Sequence, residues 1–233
     1  MLSGLDRIGR AVLDFVLPQS CLDCGRSGEI LCAPCSARWP RVLSPYCNRC
    51  GLPLINDNIC PDCSRTDFAI DGIRSVFLFE GRVREAIIQF KYYNLRVLAR
   101  PLALTLSAYI DAHDIPFDTV VPVPLHPRKL AERGYNQSNL LANELARLRG
   151  LTQADRKLKK WQYTPPQATL KQAAHRRHNV QQAFKAVPGS MYLRHVLLID
   201  DIATTGSTLD ACALALKMAG AVSVWGLTVA REK

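Results

Sequence analysis

Eight of the nine cysteines fall into four Cys-x-x-Cys pairs within 43 residues: Cys21/Cys24, Cys32/Cys35, Cys47/Cys50 and Cys60/Cys63. Each such pair makes a tight turn that aims two thiolates at one ion, and two pairs complete a tetrahedral Cys₄ shell of the kind zinc prefers. Gly25 and Gly51 follow the second cysteine of their pairs, where a positive φ is often needed. This part of the chain has too few large apolar residues to hold a core, so metal binding would supply its folding free energy. Two structural zinc ions are expected, held by Cys21, Cys24, Cys32, Cys35, Cys47, Cys50, Cys60 and Cys63. Full coordination leaves no open position for chemistry. Disulfides and an iron–sulfur cluster are the alternatives for the same residues. Sequential sharing of the ions, first pair with second and third with fourth, is simplest; a crossed scheme stays open. The ninth, Cys212, falls in a helical pattern and reads as a buried thiol acting as a small hydrophobe.

The 233 residues leave room for one or two domains. A hydrophobic content of 48% with 21% charged residues excludes a disordered chain. No run reaches the ~18 apolar residues of a spanning helix, so no membrane span is expected. Asp6 and Asp14 interrupt the amino-terminal segment, which argues against a secretory signal and for a cytoplasmic protein. The net charge of +10 is unevenly placed. Residues 1–67 sum to zero, and residues 156–199 hold nine Lys or Arg and no acid. A diffuse excess would serve solubility, whereas a segregated one attracts polyanions such as nucleotides, diphosphates and nucleic acid.

Leu5, Ile8, Val12 and Phe15 recur at three- and four-residue steps, which predicts an amphipathic helix over 1–18, ended by Pro18. The Cys-rich region occupies 19–67. Beyond it, 68–233 alternates strands (Ile73–Phe79, Asp118–Val123, His195–Ile199, Val222–Val229) with helices (Arg82–Tyr92, Leu95–Ala112, Asn136–Leu148, Ser207–Met218). That alternation predicts an α/β domain with a parallel sheet flanked by helices. Pro165-Pro166 reads as a loop.

The chemistry concentrates in Val196-Leu197-Leu198-Ile199-Asp200-Asp201-Ile202-Ala203-Thr204-Thr205-Gly206-Ser207-Thr208. A buried strand is expected to end in two adjacent carboxylates, followed by a Thr/Gly/Ser loop and a helix. Ligands of open α/β sheets bind beyond the carboxyl ends of the strands. The loop offers hydroxyls and backbone N–H groups to an anion, and the helix adds its positive end. Carboxylates suit ribose hydroxyls, which donate hydrogen bonds to them. The combination reads as a site for a ribose 5-phosphate.

This run resembles the phosphoribosyl pyrophosphate (PRPP) signature of type I phosphoribosyltransferases. The resemblance implies that Asp200 and Asp201 bind the ribose hydroxyls and that Ala203, Thr204, Thr205, Gly206, Ser207 and Thr208 bind the 5′-phosphate. Ile202-Ala203 departs mildly from the commoner valine and threonine there, a change that backbone contacts tolerate. Two further stretches are Val121-Pro122-Val123-Pro124-Leu125-His126-Pro127-Arg128-Lys129-Leu130-Ala131-Glu132-Arg133-Gly134-Tyr135-Asn136-Gln137-Ser138, and Thr164-Pro165-Pro166-Gln167 with Arg176-Arg177-His178-Asn179. In this order, behind paired Cys knuckles, they resemble the ComF/GntX family of competence-associated phosphoribosyltransferase-like proteins over nearly the whole chain. The implied architecture is a double zinc ribbon followed by a type I phosphoribosyltransferase-like domain.

In such a domain Pro122, Val123 and Pro124 belong to a rigid loop that would hold pyrophosphate. Arg128, Lys129 and Arg133 are candidate phosphate partners, and Arg133 is favoured because it adjoins Gly134-Tyr135-Asn136-Gln137. Asn136 or Gln137 would alternatively cap a helix. Arg176, Arg177 and Asn179 are candidates for a lid, whose closure would exclude water. His126 reads as structural, and His175 and His178 lie in the basic stretch. Lys91 matches a family lysine without an evident role.

Two functions follow. As an enzyme, the protein would bind PRPP with Mg²⁺ and transfer the ribose phosphate to an acceptor that the sequence does not name, with Asp200, Asp201 and Arg133 at the reacting centre. As a binding protein, it would handle single-stranded DNA in transformation or dock a competence helicase or other transformation protein. PRPP would then be a regulatory ligand. Basic residues with Trp161, Tyr163, Phe184 and Tyr192 would supply phosphate contacts and stacking surfaces.

Overall fold

The computed structural model describes residues 19–163 and 183–233. The expected amino-terminal helix, Pro165-Pro166, His175, His178 and the lid candidates Arg176, Arg177 and Asn179 lie outside them. The chain divides into two compact units, one up to Trp39 and one from Pro40 to Lys233.

In the first unit, Gly25 turns the chain with φ +73°, and its N–H donates to Cys21 O at 2.8 Å. Cys32 then opens the short helix α1 (Ala33–Arg38), which carries Cys35 inward. The second unit begins with an equivalent arrangement. Gly51 turns with φ +68°, its N–H donates to Cys47 O at 2.9 Å, and Cys60 opens α2 (Pro61–Ser64), which buries Cys63. In both helices proline stands in the first turn, where its missing N–H costs nothing.

The α/β part follows. Its strands are β1 (Gly72–Leu78), β2 (Thr119–Pro122), β3 (Leu158–Lys160), β4 (Phe184–Ala186), β5 (His195–Ala203) and β6 (Ser223–Arg231). Its helices are α3 (Gly81–Tyr92), α4 (Ala99–Ala112, led by a 3₁₀ turn at Arg96–Leu98), α5 (Pro127–Arg133), α6 (Gln137–Arg149) and α7 (Ser207–Met218). Four strands form a parallel sheet in the order β1-β6-β5-β2. The central β5 is a continuous apolar run over Val196–Ile199, fully buried, as a strand covered on both faces must be. Val196 and Leu198 pack into a cluster with Leu209, Cys212 and Leu216 of α7 and with Leu158 and Phe184 of the antiparallel β3–β4 pair. Helices α4 and α6 pack on each other and on the sheet, burying Leu102, Leu106, Leu141 and Leu145.

This is the expected helix-flanked parallel sheet, with three differences. Helix α5 was not foreseen. Pro127 starts it, and His126 caps it by accepting from the Arg128 N–H at 3.2 Å. The antiparallel β3–β4 pair also appears where lysine-rich segments gave no period-two apolar signal. Third, β5 does not stop at Ile199. Its pairing with β6 continues through Asp200↔Thr228, Ile202↔Ala230 and Ala203↔Arg231, because backbone pairing is indifferent to side-chain charge where the charges find partners. No helix among the described residues is long and apolar enough to cross a membrane.

Candidate functional site

The two cysteine groups settle the sharing scheme. Cys21, Cys24, Cys32 and Cys35 form one cluster, and Cys47, Cys50, Cys60 and Cys63 the other, with the sulfurs of each group all within 4.8 Å of one another. Cys24 and Cys32 Sγ lie 3.8 Å apart, and Cys50 and Cys60 Sγ 3.7 Å apart. A disulfide requires about 2.05 Å, whereas the edge of a tetrahedron with Zn–S bonds of about 2.3 Å is about 3.8 Å. The Cys32 N–H points at Cys21 Sγ (3.5 Å) and the Cys60 N–H at Cys47 Sγ (3.4 Å). Burial raises the Cys47 thiol pKa, but amide donors from Cys50, Cys60 and Arg49 outweigh it and bring the group down to about 6. Cys21 behaves alike. Both sets of donors fit a structural zinc ion. Cys212 belongs to neither and is fully buried in α7.

The carboxylates sit at the carboxyl-terminal end of β5, where β2 ends alongside through Pro122↔Ile199. Asp200 Oδ1 accepts from Ser138 Oγ at 2.7 Å and from the Asp201 N–H at 2.9 Å. Burial, and next the charge of Asp201, push the Asp200 pKa up to about 7, against Ser138, Lys91 and the Asp201 N–H. Asp201 is only 5% exposed. Its Oδ1 lies 3.1 Å from Lys91 Nζ, while its buried Oδ2 has no hydrogen-bond partner among the described residues.

Beyond Ala203 the backbone leaves the sheet. Thr204 and Thr205 are exposed. Thr205 Oγ1 accepts from the Ser207 N–H at 3.3 Å and lies 2.8 Å from Ser207 Oγ. Gly206 caps α7 at φ +79°, a left-handed conformation that a side chain would oppose. The result is a hydroxyl-rich turn at a helix amino terminus, next to two acids and the end of a neighbouring strand. Such a turn can take an anion while the acids accept from hydroxyls.

The Gly134–Ser138 segment proves to be a set of connectors. Gly134 (φ +78°) ends α5. Tyr135 OH donates to the Phe90 carbonyl, and Gln137 Nε2 donates to the Lys91 carbonyl at 3.3 Å; both grip the last turn of α3. Asn136 caps α6 by accepting from the Ser138 N–H at 3.1 Å, and its Nδ2 donates to Val123 O at 2.9 Å. The capping alternative is thus the one observed. Arg133 is held by Gln137 Oε1 at 2.7 Å and lies over the Tyr92 ring. It lines an open cleft of about 330 Å³ with Lys91, Lys129 and Tyr135. Arg128 instead pairs with Glu132 on an exposed face.

Sequence reasoning left Lys91 without a role and missed Ser138 as a partner of Asp200 and Lys160 as a group that feels the charge of Asp200. Burial depresses the Lys160 pKa, partly offset by the nearby Cys212 and Asp200. An amphipathic α3 ending in a lysine was the available signal for Lys91; Ser138 had none.

Comparison with known proteins agrees with this organisation. Residues 12–64 match the double zinc ribbon domain family. Competence protein F of Haemophilus influenzae is 31% identical over 207 residues, covering 84% of this chain and 89% of that protein. The DNA utilization protein YhgH of Escherichia coli (strain K12) is 31% identical over 209 residues, with the same coverage. Competence protein ComFC of Bacillus subtilis is 27% identical over 222 residues, covering 88% and 85%. Among solved structures, glutamine PRPP amidotransferase from B. subtilis, complexed with ADP and GMP, superposes with a TM-score of 0.41 at 20% identity. That match covers 60% of this chain and spans 30% of the solved one. On the strength of the 31% identity across most of both chains, the protein belongs to the ComF family.

Proposed function

We propose that the carboxyl edge of the sheet binds PRPP or a related ribose 5-phosphate, and that the protein serves competence for DNA uptake, as the names of its relatives suggest. One observation carries the reading: two acids at the end of β5, each already held through one oxygen by Ser138 or Lys91, stand next to a hydroxyl-rich turn at the start of α7. In this reading Asp200 and Asp201 take the ribose hydroxyls, and Ala203–Thr208 takes the 5′-phosphate. Pro122, Val123 and Pro124 border the diphosphate, with Arg133 and Lys91 in the adjoining cleft supplying positive charge. Among the described residues no third metal-ligating side chain joins the two acids. That fits a magnesium ion held mainly by diphosphate oxygens and water, where it would neutralise charge on the leaving group. The residues themselves position the ribose and shield its charge. Turnover would break the bond from ribose C1 to diphosphate in favour of an acceptor.

Calorimetric titration of zinc-loaded protein with PRPP and Mg²⁺, beside an Asp200→Ala/Asp201→Ala variant, tests this reading. Binding by the wild type that the variant loses is expected. Absence of wild-type binding overturns it.

A second reading, single-stranded DNA binding, draws on the β3–β4 pair, beside which Lys185 Nζ lies 4.1 Å from the centroid of the exposed Trp161 ring. Affinity for an oligonucleotide should then fall steeply with salt and drop on Trp161→Ala. Salt-independent affinity would count against it.

A further inference from the structure

Arg231, the last residue of β6, is 3% exposed. Its Nη2 donates to Cys50 Sγ at 3.6 Å and its Nη1 to the carbonyl of Thr204. Its Nε finds no acceptor among the described residues, and none of their ion pairs provides it with a carboxylate. A buried guanidinium needs a counter-charge. Among the described residues the group placed to supply it is the Cys50 sulfur, which is a firm thiolate when a metal holds it. Hydrogen bonds of this kind from outer groups to ligating atoms orient metal sites. Here the same side chain grips the first residue of the hydroxyl-rich turn with its other arm.

A second link runs in parallel. The Ile73 N–H donates to Arg49 O at 2.6 Å, and Gly51 sits so close that a Cβ there would meet Ile73 O at 2.7 Å. The Ile73 side chain in turn reaches the turn from below, where a Cβ on Gly206 would meet its Cδ1 at 2.7 Å. The Cys47–Gly51 knuckle is therefore joined to the 204–207 turn by one charged contact and one packed contact.

We infer that Arg231 is a positioning residue that makes the conformation of the 204–207 turn depend on metal occupancy of the Cys47/Cys50/Cys60/Cys63 cluster. With metal bound, the thiolate balances the guanidinium, and Thr204 is held. With metal lost, nothing holds the four sulfurs at fixed positions, Cys50 Sγ no longer fixes the guanidinium, and the turn loses its anchor. If the turn binds ribose phosphate, as proposed above, the cluster tunes that affinity from a distance without touching the ligand.

The decisive measurement uses the full zinc-loaded chain without ligand, so it does not depend on the ribose-phosphate reading. Amide hydrogen exchange across 203–210 is compared in wild type, Arg231→Met and Arg231→Lys, with zinc content measured on the same samples. Arg231→Met is expected to raise exchange of the Ser207 and Asp210 amides, which donate to Thr205 Oγ1 and Gly206 O, about tenfold, as the loss of one charge-assisted hydrogen bond frees the turn. Arg231→Lys, which keeps the charge, should recover part of the protection. Unchanged exchange in a zinc-replete Arg231→Met protein overturns the inference. Should that variant fail to fold, Arg231→Lys decides alone: it reaches one of the two acceptors at a time, so wild-type protection of the turn overturns the coupling and faster exchange upholds it.

A spectroscopic arm uses cobalt in place of zinc. Ribose 5-phosphate should shift the thiolate-to-cobalt band of the wild type and leave that of the Arg231 variants unmoved, since coupling between two sites is reciprocal. Calorimetric binding without any band shift counts against the coupling. No calorimetric binding counts against the ribose-phosphate reading alone, and the exchange result still judges Arg231.

Discussion

Lys91 Nζ lies 3.1 Å from Asp201 Oδ1, joining the last turn of α3 to the end of the central strand. The side chains are 21% and 8% exposed, so the pair is largely withdrawn from water. A carboxylate so placed depends on its cation, and Gln137 fixes that cation by holding the Lys91 carbonyl. The pair explains how a strand can carry an acid into the sheet's end without fraying.

Breaking this pair from one side leaves a buried charge uncompensated. Lys91→Met should destabilise the protein by about 2–4 kcal/mol, measured by urea unfolding with zinc retained. Adding Asp201→Asn should recover a good part of the loss. Equal stability of Lys91→Met and wild type would show that the pair is screened.

Asp200 makes a pH prediction. Its folded-state pKa of about 7 lies above the ordinary carboxylate value of 3.8. Between those values the native state holds a proton that the unfolded chain has released, so stability contributed here falls as pH rises through that window. Asp200→Asn should therefore melt higher than wild type at pH 8, by roughly 1 kcal/mol or about 2–4 °C for a chain of this size. The difference should shrink towards pH 4. Ribose 5-phosphate affinity of the wild type should rise with pH through about 7 as the carboxyl ionises. A melting difference that does not vary with pH would contradict the raised pKa.

Gly206→Ala meets two obstacles, a φ of +79° and Ile73 Cδ1 at 2.7 Å from the new Cβ. A loss of about 1–3 kcal/mol is expected. Shortening the neighbour in Gly206→Ala/Ile73→Val relieves the clash but not the backbone strain, so thermal unfolding should show partial recovery. Full recovery would mean that the left-handed conformation is not needed.

Zinc content tests the two clusters. Cys60→Ser should lower bound zinc from two ions to one, since each group of four sulfurs stands by itself. Cys212→Ser should leave it at two. A colorimetric metal assay on purified protein checks both outcomes: two ions retained by Cys60→Ser, or one lost by Cys212→Ser, would contradict the assignment of the eight ligands.

Local spacing made much of this protein legible. The Cys-x-x-Cys pairs announce metal knuckles because both ligands of a knuckle lie within one turn of chain. The acids, the turn and the start of α7 are contiguous, so their chemistry reads directly from Asp200 to Thr208. Helix and strand periods located most elements within a residue or two, as with Ser207–Met218. Short segments whose shape comes from packing stayed hidden, including α5 and the β3–β4 pair. So did every partner supplied from elsewhere in the chain: Ser138 for Asp200, 62 residues away, Lys91 for Asp201, and Arg231 for Cys50, 181 residues away. Sequence patterns record which face of an element is buried, whereas a hydrogen bond or ion pair depends on where two such faces meet. That meeting is decided by the packing of α3, α6 and the second cysteine cluster around the ends of β5 and β6.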